Sequence, residues 1–275
     1  MSVFTPPQVL TIAGTDSSGG AGVQADLKTM QERHVFGTSV IVAVTAQNTL
    51  GVLDFAVMPT EIINQQFQAL AEDLTIKAAK TGMLANREVV ETVANNYRKY
   101  DFGHLVVDPV MIAKGGAKLL SDDAVWALRT HLLPLAYLVT PNLPEAEALS
   151  QVNITTKSDA IVAAQRLQAL GAKNVLIKGG HSHDPKESQD IAVLENGDTF
   201  VLTGARVDTP NTHGTGDTLS SVVAAELAKG QDLPTALKIA KAFVNAAIAH
   251  GIQVGHGHGP LNHWAYREME ENHDF

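Results

Sequence analysis

Along this chain, short runs of β-branched and aliphatic residues alternate with longer segments whose apolar positions recur at helical spacing. The short runs predict strands at 9–14, 38–45, 76–81, 105–108, 137–140 and 175–178. Two further runs, 191–194 and 199–202, read as a hairpin with Asn196-Gly197 at its turn. The longer segments predict helices over 22–33, 60–73, 87–99, 122–131, 157–170, 215–229 and 234–250. Strands alternating with helices imply an α/β fold: a mostly parallel central sheet covered on both faces. There is no internal repeat, low-complexity tract or linker rich in Pro, Gly or Ser, so residues 1–275 are expected to form a single domain.

The polar residues fall at a repeated place in this pattern. Asp16, Gln47, Asp108, Asn142 with Glu145, and Lys178 all lie at or just past the end of a predicted strand. Ligands of open parallel sheets bind outside those carboxyl ends, so separate segments are expected to aim polar groups at one crevice.

The turn Thr209-Pro-Asn-Thr-His-Gly-Thr-Gly-Asp217 carries the sharpest chemistry. It opens a predicted helix, whose N–H groups and dipole suit a polyanion. Gly214 and Gly216 permit close backbone approach, with Thr215 between them, and Asp217 in the first turn is placed to take a proton from a hydroxyl. That combination points to phosphoryl transfer from a nucleotide to an alcohol. The bland alternative is an ordinary helix start with a Thr cap and a favourable acid.

An earlier loop, Ala13-Gly-Thr-Asp-Ser-Ser-Gly-Gly-Ala-Gly-Val-Gln-Ala-Asp26, is built of small residues that let backbone touch a ligand. Its Gly20-Ala-Gly22-Val-Gln-Ala25 string matches a dinucleotide fingerprint, but it begins six residues after the strand and no acid ends the second strand. A small-substrate loop is the better reading, and no Walker A string occurs. Asp108 and Glu145 offer the oxygen ligands that Mg²⁺ prefers, although Glu145 equally reads as a first-turn helix acid. Lys178, before Gly179-Gly180, is either a phosphate contact or a solvated lysine at a loop entrance. His250, His256, His258 and His263 lie among glycines and read as a surface loop rather than a metal site.

Composition narrows the partners. The net charge of −9 excludes the basic stripe of a nucleic-acid binder. The absence of cysteine excludes disulfides, thiolate metal sites and a cysteine nucleophile. No window approaches the ~20 apolar residues of a membrane span, and the first residues lack a basic leader, so a cytoplasmic protein is expected.

These motifs together resemble the hydroxymethylpyrimidine/phosphomethylpyrimidine kinases of thiamine biosynthesis, within the ribokinase-like superfamily. The resemblance runs from Thr11-Ile-Ala-Gly-Thr-Asp through Thr45-Ala-Gln-Asn48, Lys80-Thr-Gly-Met83, Val107-Asp-Pro-Val-Met111, Thr140-Pro-Asn142 and Thr212-His-Gly-Thr-Gly-Asp217 to Gly255-His-Gly-His-Gly-Pro-Leu-Asn-His263. It implies a ribokinase-like αβα sandwich, a homodimer, and a small-molecule alcohol phosphorylated from ATP with Mg²⁺. The pyrimidine is expected near Gly14, Asp26, Gln47, Met83 and Val110. ATP is expected at Asn142, Lys178, Thr212 and His213, with adenine near the helix holding Lys241 to Ala246. Asp108 and Glu145 are expected to organise Mg²⁺, and segment 113–118 to close over the site.

Gln47 has its own logic: one amide offers a donor to a ring nitrogen and an acceptor to the exocyclic amine of an aminopyrimidine, which pyridoxal lacks. One position departs from the resemblance. Pyrimidine kinases usually carry cysteine where this chain has Asp217, and aspartate occurs in pyridoxal kinases. The expected activity is therefore phosphorylation of 4-amino-5-hydroxymethyl-2-methylpyrimidine and its monophosphate, with a pyridoxal/pyridoxine kinase, or dual specificity, as the alternative.

Overall fold

A computed structural model describes residues 4–111, 120–181 and 186–272. Its centre is a sheet of nine strands in the order β3-β2-β1-β4-β5-β6-β7-β8-β9. These are β1 Gln8–Gly14, β2 Phe36–Asn48, β3 Gly51–Val57, β4 Ile76–Thr81, β5 His104–Val107, β6 Leu138–Val139, β7 Asn174–Ile177, β8 Glu187–Val193 and β9 Thr199–Ala205. The strands from β2 to β7 in that order pair parallel, and β3, β8 and β9 join antiparallel at the two edges.

Buried strand residues alternate between two cores, as a sheet covered on both faces requires. Leu10, Ile12, Leu105, Val107, Val175 and Ile177 face one core, and Val9, Val106 and Leu176 the other. The first core is closed by α2 Thr60–Asp73, α3 Arg87–Lys99, α4 Asp122–Ala127, α5 Leu143–Ser150 and α6 Lys157–Ala169. The second is closed by α1 Gly22–Glu32, α7 Thr215–Ala228, α8 Leu233–Ala249 and α9 Ala265–Asn272. The α/β sandwich expected from the sequence is therefore present. Among the described residues, no helix is long and apolar enough to cross a membrane.

The differences from expectation are local and have physical reasons. Strand β3 escaped notice because Val52, Leu53, Phe55 and Val57 all stay exposed, so no face of the run is set apart by burial. It is held instead by backbone pairing to β2. The second half of β2 continues past β1 as a hairpin with β3, which puts Gln47 inside a strand rather than just beyond one. The helix expected over 122–131 narrows to α4 and widens into a π turn over Leu128–Leu132 before Pro134. The short α5 starts at a reciprocal cap, in which Asn142 Oδ1 accepts from Glu145 N–H and Glu145 Oε2 accepts from Asn142 N–H.

Candidate active site

The first turn of α7 lies over the ends of three parallel strands. Asp217 sits beside Lys80 of β4, while Gly216 sits beside Asp108, just after β5, and Lys178, just after β7. The turn is closed by Thr215 Oγ1 donating to Thr212 O at 2.7 Å. Gly214 has a left-handed φ of +82°, and a Cβ there would lie 2.0 Å from Gly20 O, so two requirements converge on glycine. A Cβ on Gly216 would meet Asp108 Oδ2 at 2.9 Å and Lys178 Nζ at 3.2 Å. The helical ladder begins with Thr218 N–H bonding to Gly214 O. The N–H groups of Thr215, Gly216 and Asp217 precede it, so they are the orphan donors of a helix start. The geometry fits an anion held against Gly214, Thr215 and Gly216.

Beneath this turn is a buried chain of charges. Lys80 is wholly inaccessible, and its Nζ donates to Asp26 Oδ1 at 2.9 Å, Asp26 Oδ2 at 3.1 Å and Asp217 Oδ1 at 3.3 Å. Thr11 Oγ1 and Ser221 Oγ also donate to Asp26, at 2.6 and 2.7 Å. Burial pulls the Lys80 pKa down, but Asp26, Asp217 and Asp108 outweigh it and hold the ammonium above its ordinary value. Burial pushes Asp26 up to about 6 against the pull of Lys80. Asp26 was expected to touch substrate. It is instead fully buried with both oxygens engaged, and it acts on the crevice through Lys80. The Asp217 side chain keeps 16% of its surface exposed, which leaves it the reachable carboxylate of the trio.

A second charged group lies alongside. Lys178 Nζ donates to Asp108 Oδ1 at 2.6 Å, and Thr140 Oγ1 donates to the same oxygen at 3.3 Å. Burial lowers the Lys178 pKa, and the carboxylates of Asp108 and Glu145 more than restore it. Glu145 is pushed up to about 7, chiefly by burial, with Lys178 opposing and Asp108 reinforcing. Asn142, which caps α5, bridges in parallel to Lys178, so Asn142, Lys178, Asp108, Glu145 and Gly216 form one neighbourhood. Lys178 is thus an ion-paired lysine beside the anion turn, not a solvated one. Among the described residues, no three His, Asp or Glu side chains gather to cage a metal.

The remaining expected residues border the other side. Gly14 N–H donates to Met83 O at 3.2 Å, and a Cβ on Gly14 would strike Met83 Cε at 2.6 Å. Val110 follows Asp108 in a tight turn, its N–H bonded to Asp108 O. The Gln47 amide lies 3.1 Å from His213 Nε2, which lies 2.9 Å from Asp16 Oδ2. His213 therefore touches the first loop and Gln47, while Thr212 contributes its carbonyl to the α7 turn. The C-terminal histidines are not one surface loop. His263 is buried and pairs with Thr218 Oγ1, whereas the N–H groups of His256, Gly257 and His258 grip Thr49 at the tip of the β2–β3 hairpin. Segment 113–118 lies outside the described residues.

Lys80 escaped the candidate site, and Asp16 was placed at the crevice without a role of its own. Lys80 left one trace in the sequence, a charge inside Ile76-Lys-Ala-Ala-Lys-Thr81 at a position where a central strand should be apolar.

Comparison with known proteins places this site in context. Residues 16–262 match the family model for phosphomethylpyrimidine kinase. The hydroxymethylpyrimidine/phosphomethylpyrimidine kinase of Haemophilus influenzae is 55% identical over 95% of this chain and 98% of that protein. A thiamine biosynthesis bifunctional protein of Geobacter sulfurreducens is 45% identical over 94% of this chain and 53% of its own length. Among solved structures, the pyridoxal kinase of Staphylococcus aureus in complex with AMP-PCP and pyridoxal superimposes with a TM-score of 0.88. It is 34% identical and is matched over 97% of this chain and 96% of its own.

The charge chains yield two expectations. Lys80→Met should destabilise the protein by about 3–5 kcal/mol in urea unfolding, because it leaves Asp26 buried without its counter-ion. A loss below about 1 kcal/mol would mean that Asp26 is neutral in the fold. For Glu145, the folded-state pKa of about 7 exceeds the ordinary 4.5, so the native state holds the extra proton. The stability this contributes is full below 4.5 and is lost as pH rises through 7. The melting temperature of Glu145→Gln relative to wild type should therefore climb between pH 5 and pH 8. A flat difference would contradict the raised pKa.

Proposed function

The chain belongs to the phosphomethylpyrimidine kinase family and is a phosphotransferase. From that premise we propose that it phosphorylates the hydroxymethyl group of 4-amino-5-hydroxymethyl-2-methylpyrimidine from ATP, and then the monophosphate, in thiamine biosynthesis. One observation carries the reading: the partly exposed carboxylate of Asp217 stands in the same helical turn as the anion-binding N–H groups and against the Lys80 ammonium. Base, anion cradle and positive charge thus share one reacting centre.

In this mechanism the substrate hydroxyl oxygen attacks the γ-phosphorus, and its proton passes to Asp217. The bond from γ-phosphorus to the β–γ bridging oxygen breaks, releasing ADP. Gly214, Thr215 and Gly216 offer their N–H groups to the transferring phosphoryl, and Lys178 with Asn142 holds the neighbouring phosphates. Lys80 keeps Asp217 oriented beside the hydroxyl.

Mg²⁺ suits the site, because Asp108 and Glu145 offer carboxylate oxygens and this ion needs only one or two, completing its shell with water and phosphate. Asp108 Oδ2, directly beneath Gly216, is the better-placed oxygen. When bound there, Mg²⁺ neutralises charge on the nucleotide phosphates. Gln47, with Gly14 and Met83, forms the pyrimidine side.

The family resemblance carries a cytoplasmic homodimer into the proposal, and the exposed Leu53 and Phe55 of β3 support a self-associating face. A second reading, pyridoxal kinase, rests on Asp217 standing where pyrimidine kinases usually have cysteine, and on the structural likeness to the Staphylococcus aureus enzyme.

Asp217→Asn should lower kcat by roughly 10²–10⁴ while the KM for ATP stays nearly constant. Near-normal turnover would remove Asp217 as the base. ADP release measured separately with the pyrimidine, its monophosphate and pyridoxal should give the highest kcat/KM for a pyrimidine, and Gln47→Ala should erode that activity more than the pyridoxal activity. A higher kcat/KM for pyridoxal in the wild-type protein would reverse the order of the two readings.

A further inference from the structure

The first turn of α7 begins without the device that ordinarily steadies a helix start. Gly214 occupies the N-cap position and has no side chain to accept from the N–H groups behind it, whereas a Ser, Thr, Asn or Asp there would bind one of them. Leaving those donors free is what an anion site needs. It also leaves the turn to be held by contacts from elsewhere. On the sheet side these are Asp217 on Lys80 at 3.3 Å and Ser221 Oγ on Asp26 at 2.7 Å. The two residues are four apart and share one face of the helix, so both pins lie along one line and neither resists a roll of α7 about it.

Thr218 lies about 100° round the helix from Asp217. There the C-terminal segment reaches in: His263 Nε2 stands 3.1 Å from Thr218 Oγ1, with Thr218 wholly buried and His263 nearly so. We infer that His263 is a positioning residue for phosphoryl transfer: through Thr218 it fixes the turn that carries Asp217 and the anion-binding N–H groups. This rests on the reading of that turn given above. Thr218 N–H closes the turn on Gly214 O at 2.9 Å, so a hold on Thr218 is a hold on the whole turn. Ser220, two residues on, spends its hydroxyl on Gly216 O and Asp217 O within its own helix, whereas the Thr218 hydroxyl is engaged by another segment. Burial and the Lys28 ammonium hold the imidazole pKa down to about 4 against the pull of Asp217. The ring is therefore neutral, and its Nε2 can either accept from the hydroxyl or donate to it.

His263 is itself anchored. Its neighbour Asn262 donates from Nδ2 to His250 O at 2.8 Å and from its N–H to Ala247 O at 3.2 Å, at the end of α8. Four residues before His263, Gly259 O accepts from His213 N–H at 3.1 Å, just ahead of Gly214. Residues 259–263 thus meet the turn at both of its ends, His213 and Thr218.

The test measures kcat and KM by ADP release, per folded protein, with whichever of the aminopyrimidine and pyridoxal has the higher kcat/KM in wild type. The variants are His263→Leu, His263→Gln, Thr218→Val and the double variant of His263→Leu with Thr218→Val. His263→Leu should lower kcat about tenfold, with the KM for ATP and for the acceptor within about threefold of wild type. Thr218→Val, which removes only the hydroxyl, should do the same, and the double variant should fall no more than about threefold below either single one. A glutamine amide can also donate or accept at that hydroxyl, so His263→Gln should recover kcat to within about threefold of wild type. Two results would overturn the inference. One is a kcat in His263→Leu within about twofold of wild type. The other is a loss that glutamine does not restore and that multiplies in the double variant, which would leave His263 a packing role only. Should His263→Leu not fold, Thr218→Val decides: a lowered kcat supports the inference and an unchanged one ends it. Near-normal turnover in Asp217→Asn would strike the reading of the turn itself, and with it the base that His263 is said to position.

Discussion

The buried bond between Lys80 and Asp26 is the constraint on which the rest of the site depends. Neither group reaches solvent, so each is tolerable only while the other stays in place. Their partners come from separate parts of the chain: Thr11 from β1, Asp26 from α1, Lys80 from β4, and Ser221 and Asp217 from α7. Displacing any of these elements would leave a charge or a hydroxyl unsatisfied inside the sheet. The pair therefore fixes where α7 begins relative to the strands, and that start is where the reacting groups stand.

Close backbone approach supplies the second level of order. Gly214 rests on the carbonyl of Gly20, Gly216 on the Asp108–Lys178 pair, and Gly14 against Met83. None of these contacts leaves room for a side chain, so loops far apart in sequence meet at van der Waals distance. Charges beneath and glycines above act together: the ion pairs resist displacement, and the bare backbone lets a ligand reach the N–H groups. The crevice is rigid at its floor and smooth at its walls.

How much of this was legible in the sequence follows from the range of the interactions. The bounds of α2, α3 and β4 could be read because apolar periodicity is a local property, whereas the eight-residue α5 was too short to show a period and only Glu145 was read as a first-turn acid. The α7 turn was legible because its glycines, threonine and acid are consecutive. Lys80 was not, because its partner in the core lies 54 positions away, and a lysine in a strand gives no sign of what neutralises it. The resemblance placed Asp26 at the substrate, and the local sequence could not show Thr11, Lys80 and Ser221 closing around it. The pairing of Gln47 with His213 spans 166 positions and joins two residues that the resemblance had placed with different ligands.

The grip on Thr49 has a temporal meaning. The hairpin that carries Gln47 is made early, whereas the backbone donors of His256 and Gly257 arrive more than 200 positions later, the first pairing spanning 207. At a synthesis rate of about 5–20 residues per second, roughly 10–40 s separate the hairpin from its clasp on the ribosome. During that interval Leu50, Leu53 and Phe55 stand exposed on a ribbon whose tip is unsecured. A chain cut after α8 would already own the sheet and most of the charged floor. It would still lack the last tether on the strand that presents Gln47, so the acceptor side of this crevice is completed only once residues 256–258 have been made.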